Sequence, residues 1–173
     1  QEQIQDFFPK VNVGRMDWDT TRGKKSFEKI IKKFVAGEIK ILVGTQMITK
    51  GLDFREVGLV GVIKADSLIN FPDFRAHERS FQTLIQVAGR SGRSSERGRV
   101  IIQTFNPGSV LLKQIIDNDF QGMYDNEIKE RIKYLYPPFN RLIKITLKSK
   151  DYSNVDSSSI WMANYLKQSL KNK

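Results

Sequence analysis

Apolar positions in the first hundred residues switch between two rhythms, one of period two and one close to 3.6. Val11-Asn12-Val13-Gly14-Arg15-Met16-Asp17 alternates in strand fashion, and the polar cluster Asp19-Thr20-Thr21-Arg22-Gly23 then reads as a loop. Phe27, Ile30, Ile31, Phe34 and Val35 recur as one helical stripe, with Lys25, Lys29, Lys32 and Lys33 on other faces, and Gly37 closes that helix. Ile39–Thr45, Leu59–Ala65 and Arg99–Phe105 are apolar runs of strand length, and residues 75–88 form a helix between the last two. Strand and helix alternating with short connections predicts a parallel sheet covered by helices on both faces, an α/β fold.

The pattern changes after Asn106-Pro107-Gly108. Val110, Leu111, Ile115 and Ile116 make a short helix, a longer one covers residues 120–136, and Pro137-Pro138 ends it. Arg141–Lys148 alternates Leu142, Ile143, Ile145 and Leu147 like a strand, and Val155–Leu170 has a helical pattern of apolar residues. One strand and one helix cannot bury a core of their own. The expected organisation is therefore an α/β domain over residues 1–105, a helical connector over 106–138, and the start of an incomplete α+β domain over 139–173.

Composition narrows the chemistry. The 173 residues contain no cysteine and one histidine, so disulfides, thiolate zinc sites and histidine-rich metal centres are excluded, and no metal-ligand set is expected in this chain. The apolar runs are far too short to span a bilayer, which predicts a soluble protein without membrane contact. The opening Gln1-Glu2-Gln3 resembles neither an initiator nor a signal peptide, so the chain reads as a section of a longer one. A formal charge of +10 suits an anionic partner such as nucleic acid, although basic surfaces also serve solubility. The excess is spread, +6 over residues 1–105 and +4 beyond, with no basic tail.

Two segments carry candidate chemistry. Gln86-Val87-Ala88-Gly89-Arg90-Ser91-Gly92-Arg93 places two guanidiniums three residues apart, each preceded by glycine, at the end of a helix. Glycine lets backbone approach a ligand, and the guanidinium fork matches phosphate oxygens. The same residues also fit a glycine-ended helix whose arginines pair with surface carboxylates. Gly44-Thr45-Gln46-Met47-Ile48-Thr49-Lys50-Gly51-Leu52-Asp53-Phe54 follows a strand at the carboxyl edge, where open parallel sheets bind ligands. Thr45 can donate to a phosphate, and Gly51 and Asp53 can meet a nucleotide sugar or orient an arginine. Thr45 as a packing residue and Asp53 as a turn or cap residue are the plainer alternatives.

In this order, with one strand between them, the two segments resemble motifs V and VI of superfamily 2 helicases. Gln86, Gly89, Arg90, Gly92 and Arg93 match the arginine-finger motif Gln-x-x-Gly-Arg-x-Gly-Arg in full. The resemblance implies that residues 1–105 are a second RecA-like lobe and that Arg90 and Arg93 act catalytically on the γ-phosphate of ATP. Gln86, Gly89, Gly51 and Asp53 then belong to the nucleotide side. Gly44, Thr45, Gln46, Lys50 and Arg15 belong to the DNA side. Gly44–Gly51, Asp73-Phe74-Arg75-Ala76-His77-Glu78-Arg79 and Leu135-Tyr136-Pro137-Pro138-Phe139 narrow the resemblance to the bacterial replication-restart helicases.

That family implies 3′-to-5′ unwinding of forked and single-stranded DNA by a monomer, with other primosome proteins and single-stranded DNA-binding protein as partners. It also implies ATP and Mg2+ held mainly by a first lobe, and zinc in a module absent from this chain. No Gly-x-x-x-x-Gly-Lys-Ser/Thr and no Asp-Glu pair occurs here, so the chain alone is expected to be inactive. Trp18 either stacks on a base or caps the sheet, and His77 is expected on a helix surface without a catalytic role. Two alternatives stand beside this reading: a basic nucleic-acid-binding module without motor activity, and another superfamily 2 translocase.

Overall fold

The computed structural model describes residues 2–17, 24–45, 57–89 and 98–170. Its elements run α1 (Glu2–Phe7), β1 (Val13–Met16), α2 (Lys24–Val35), β2 (Ile41–Gly44), β3 (Leu59–Val62), α3 (Asp66–Ile69), α4 (Ala76–Ala88), β4 (Arg99–Ile102), α5 (Val110–Ile116), α6 (Phe120–Lys133) and α7 (Tyr152–Leu170). They divide into two compact units, Gln1–Arg131 and Ile132–Lys173.

In the first unit β1 pairs with β2 and β3 with β4, both parallel, with Val13 opposite Ile41 and Leu59 opposite Arg99. The expected parallel strands are all present. Among the described residues they form two two-stranded ladders rather than one continuous sheet. The β1–β2 contact is tight: Gly14 lies where an added Cβ would come within 2.9 Å of Ile39 Cδ1 and 3.3 Å of Leu42 Cδ1. Met16, at the end of β1, is fully buried. In α2 the stripe of Phe27, Ile30, Ile31 and Phe34 is half-buried as its spacing predicts, but Val35 is 65% exposed. It occupies the last helical position, and Gly37, at φ +73°, turns the chain toward β2. That φ is easy for glycine and strained for a side chain.

The main core lies between the second ladder and the helices after it. Ala65, Ile69, Phe81, Leu84, Leu111, Leu112, Ile115 and Met123 form one buried cluster, against which Val62 and Ile102 pack from the strands. Burying each of the larger side chains contributes about 1.5–3 kcal/mol, so this cluster fixes α4 against α3 and α5. Asp66, at the start of α3, ties in the end of β4. Its carboxylate accepts hydrogen bonds from Thr104 Oγ1 at 2.9 Å and from the Phe105 backbone N–H at 3.1 Å. On the other face of β3–β4, Leu59 and Ile101 are more than half exposed. Among the described residues the alternation along β3 and β4 half-buries one side and leaves the other exposed, so helices on both faces are not shown for this ladder.

The second unit differs from the expectation for residues 141–148. Leu142, Ile143 and Ile145 are more than half exposed, and the segment is irregular rather than a strand. A period of two makes a strand only when a neighbour supplies the ladder, and no described residue does so here. α7 forms as predicted, with Trp161 and Tyr165 stacked at 5.5 Å along its surface, yet it buries none of its residues. The short helices α1 and α3, of six and four residues, are additions that the periodicity does not reveal.

Candidate functional site

The described candidate residues lie on two strand ends and one helix end. β1 and β2 run parallel, with Met16 opposite Gly44, so Arg15, Gly44 and Thr45 share the carboxyl edge of one ladder. All three are exposed. Among the proposed DNA contacts these are the described ones; Gln46 and Lys50 lie outside the described residues, as does Trp18. Arg15 is paired with Asp17, its Nε donating to Oδ2 at 2.6 Å. The pair is half exposed on the arginine side, and such surface pairs are weak enough to exchange for a phosphate.

Of the residues expected to meet the nucleotide, α4 places Gln86 and Gly89 at its carboxyl end, both exposed. Arg90, Gly92 and Arg93, which follow in the sequence, lie outside the described residues, as do Gly51 and Asp53. Gly89 has φ −67° and ψ −4°, an ordinary right-handed conformation. A Cβ added there would meet Ile85 O at 3.5 Å and Gln86 O at 3.7 Å among the described residues, which is normal contact. Among the described residues, neither backbone conformation nor packing demands glycine at 89, in contrast with Gly37 and Gly14.

The opposite end of α4 holds a polar network that the sequence motif announced without explaining. Asp73 accepts from the Arg75 backbone N–H at 2.9 Å and from the Arg79 guanidinium at 2.9 Å. The Arg75 backbone N–H, and then the Arg79 charge, hold the Asp73 carboxyl below its usual range, with burial opposing. Glu78 accepts from Arg75 at 3.3 Å and from Arg131 of α6 at 2.7 Å. The Arg75 hydrogen bond lowers the Glu78 pKa most, burial opposes, and Arg131 adds to the lowering. The Arg131 guanidinium also sits 5.3 Å from the Phe74 ring centroid, a cation–π contact.

His77 lies on the α4 surface as expected, with Nδ1 3.2 Å from Glu127 Oε1. That hydrogen bond raises the imidazole pKa, partly offset by burial and reinforced by the charges of Glu127 and Glu130. The partners in α6 lie 50 and 53 residues along the chain from His77 and Glu78. The i,i+3 pairing of Arg75 with Glu78 was the signal available in the sequence; nothing local points to Arg131 or Glu127.

Among the described residues no group of three or more acidic or imidazole side chains could hold a metal ion, and no helix is long and apolar enough to cross a membrane.

The helicase conserved C-terminal domain matches residues 1–95. The chain is 40% identical over 167 residues to the replication restart protein PriA of Bacillus subtilis, covering 96% of this chain and 21% of that protein. It is 45% identical over 142 residues to PriA of Synechocystis, covering 82% and 17%, and 47% identical over 147 residues to PriA of Chlamydia muridarum, covering 85% and 20%. It thus spans about a fifth of the length of these curated relatives. Parallel strands, intervening helices and the complete arginine motif agree with these matches: the chain belongs to the family of the helicase conserved C-terminal domain, and over most of its length it is similar to PriA proteins.

Proposed function

We propose that this chain provides the second RecA-like lobe of an ATP-dependent 3′-to-5′ DNA helicase that acts in replication restart at stalled forks. The observation that carries the reading is Gly89: a glycine that the helix end does not need, placed immediately before Arg90 in a complete arginine motif. What glycine supplies there is clearance, which lets the guanidiniums that follow it in the sequence approach a polyphosphate closely.

In this reading Arg90 and Arg93 face ATP and Mg2+ held mainly by a first lobe. ATP supplies the transferable phosphoryl group; the residues of this chain orient it and stabilise the charge that builds on it. Gln86, four residues before Arg90 in the sequence, joins Gly89, Gly51 and Asp53 in binding the nucleotide. Gly44, Thr45, Gln46, Lys50 and Arg15 hold the DNA backbone without reading its sequence. Closure and reopening of the lobes move the strand. Forked and single-stranded DNA, primosome proteins and single-stranded DNA-binding protein are the partners, the protein acts as a monomer in the cytoplasm, and zinc belongs to a module outside this chain. Alone, the chain hydrolyses no ATP, because it has neither a phosphate loop nor a carboxylate pair for magnesium.

In the complete helicase, Arg93→Ala should cut DNA-stimulated phosphate release by about 10³–10⁵-fold, the usual cost of losing an arginine finger. Wild-type turnover in that variant refutes the assignment. DNA binding that depends on salt but is indifferent to ATP favours a basic binding module without motor activity.

A further inference from the structure

We propose that Glu78 and Arg131, joined at 2.7 Å and backed by Phe74, are positioning residues that set the orientation of α4 and so of its carboxyl end at Gln86 and Gly89, from which the sequence continues into Arg90 and Arg93. The inference rests on the motor reading above and adds a device to it. α4 packs its inner face through Ala76, Ser80, Phe81, Leu84 and Val87. This packing holds α4 against α3 and α5, but apolar contacts are non-directional, so a directional contact sharpens the helix's rotation and tilt. A charge-assisted hydrogen bond is directional, and a guanidinium presents its donors in a rigid plane.

Arg131 is the piece that reaches α4 from another element. Its side chain is 16% exposed and that of Glu78 is 23% exposed, so the pair is shielded where solvent would otherwise weaken it. Glu78 also takes Arg75, and Asp73 takes Arg79 and the Arg75 backbone, so the motif Asp73–Arg79 closes on itself before it is tied to α6. From Glu78 to Gly89 the helix rises about 16 Å, so a tilt of about 4° displaces its far end by about 1 Å. A misplacement of that size can cost about 10²-fold in rate.

The test uses the complete helicase with Glu78→Gln, Arg131→Lys, the double variant, and Arg93→Ala beside them. Readouts are kcat and KM for ATP in DNA-stimulated hydrolysis, single-stranded DNA affinity, and hydrogen exchange of α4 and α5 amides. Each single variant should lower kcat about tenfold while KM, DNA affinity and α5 protection stay at wild-type values, and the double variant should fall no further than the singles. Wild-type kcat in both singles, losses that multiply in the double, or collapse of α4 and α5 protection in both singles would overturn the proposal and leave the pair as scaffold. Arg93→Ala separates the two layers. If it keeps full turnover, the motor reading fails; if it is inactive while Glu78→Gln and Arg131→Lys are not, the positioning role alone fails.

Discussion

The two units of this chain carry similar densities of apolar residues in regular patterns, yet only one of them turns the pattern into a core. In Gln1–Arg131 the periodic residues of α4 and α5 meet Val62 and Ile102 of the strands and close a cluster around Leu84, which is 1% exposed. In Ile132–Lys173, α7 has Ile160, Trp161 and Leu170 all more than half exposed, and Leu142, Ile143 and Ile145 stand in an irregular segment. The difference teaches that periodicity specifies which face of an element is apolar, whereas burial requires a second surface of matching shape.

The sharpest way to break this contrast is a pair of truncations in the complete helicase, read by segment-resolved hydrogen exchange. Leu84→Ala should destabilise the α4–α5 segment by about 2–5 kcal/mol, the range for emptying a well-packed site. Ile160→Ala should change α7 protection by about 0.5 kcal/mol or less, as for an exposed surface position. Equal effects at the two sites would mean that α7 is packed after all.

A smaller effect is expected at Gly14. Its missing side chain is what allows Ile39 and Leu42 to close over β1. Gly14→Ala should cost about 1–3 kcal/mol through overpacking, seen as faster exchange in β1 and β2 with α4 and α5 unchanged. Gly89→Ala, in contrast, should leave exchange at the α4 end unchanged, since an alanine fits that backbone and that space. Faster exchange there would remove the argument that this glycine is kept for clearance.

The smallest effect concerns pH. His77 has a raised pKa in the folded state, so its bond to Glu127 contributes fully below its ordinary value of 6.5 and is lost as pH rises through the folded value. Glu78 has a lowered pKa, so its contribution is present above its ordinary value of 4.5 and is lost as pH falls through the folded value. Protection of α4 against α6 should therefore be greatest between those limits and decline on both sides. His77→Gln should flatten the alkaline decline, by about 0.5 kcal/mol or less for so exposed a pair. An unaltered alkaline decline in that variant, measured by exchange at several pH values, would exclude His77 as its source.

Much of this molecule was written in local order. The periods of α2, α4, α5 and α7, the short parallel strands and the turn at Gly37 follow from residues close in sequence, because helices and turns are decided by neighbours within a few positions. The arginine motif was legible for the same reason: its glycines and guanidiniums are consecutive. Other features depended on residues far apart. Arg141–Lys148 has the alternation of a strand but no pairing neighbour; Val35 has its place in a stripe but stands at a helix end in solvent. Glu78 finds Arg131 only because α4 and α6 pack together. The sequence by itself determined the longer helices, the paired strands and the order of the candidate motifs along them. Tertiary structure alone decided which faces are buried and which charges meet, since both depend on surfaces that the folding chain brings together across long separations.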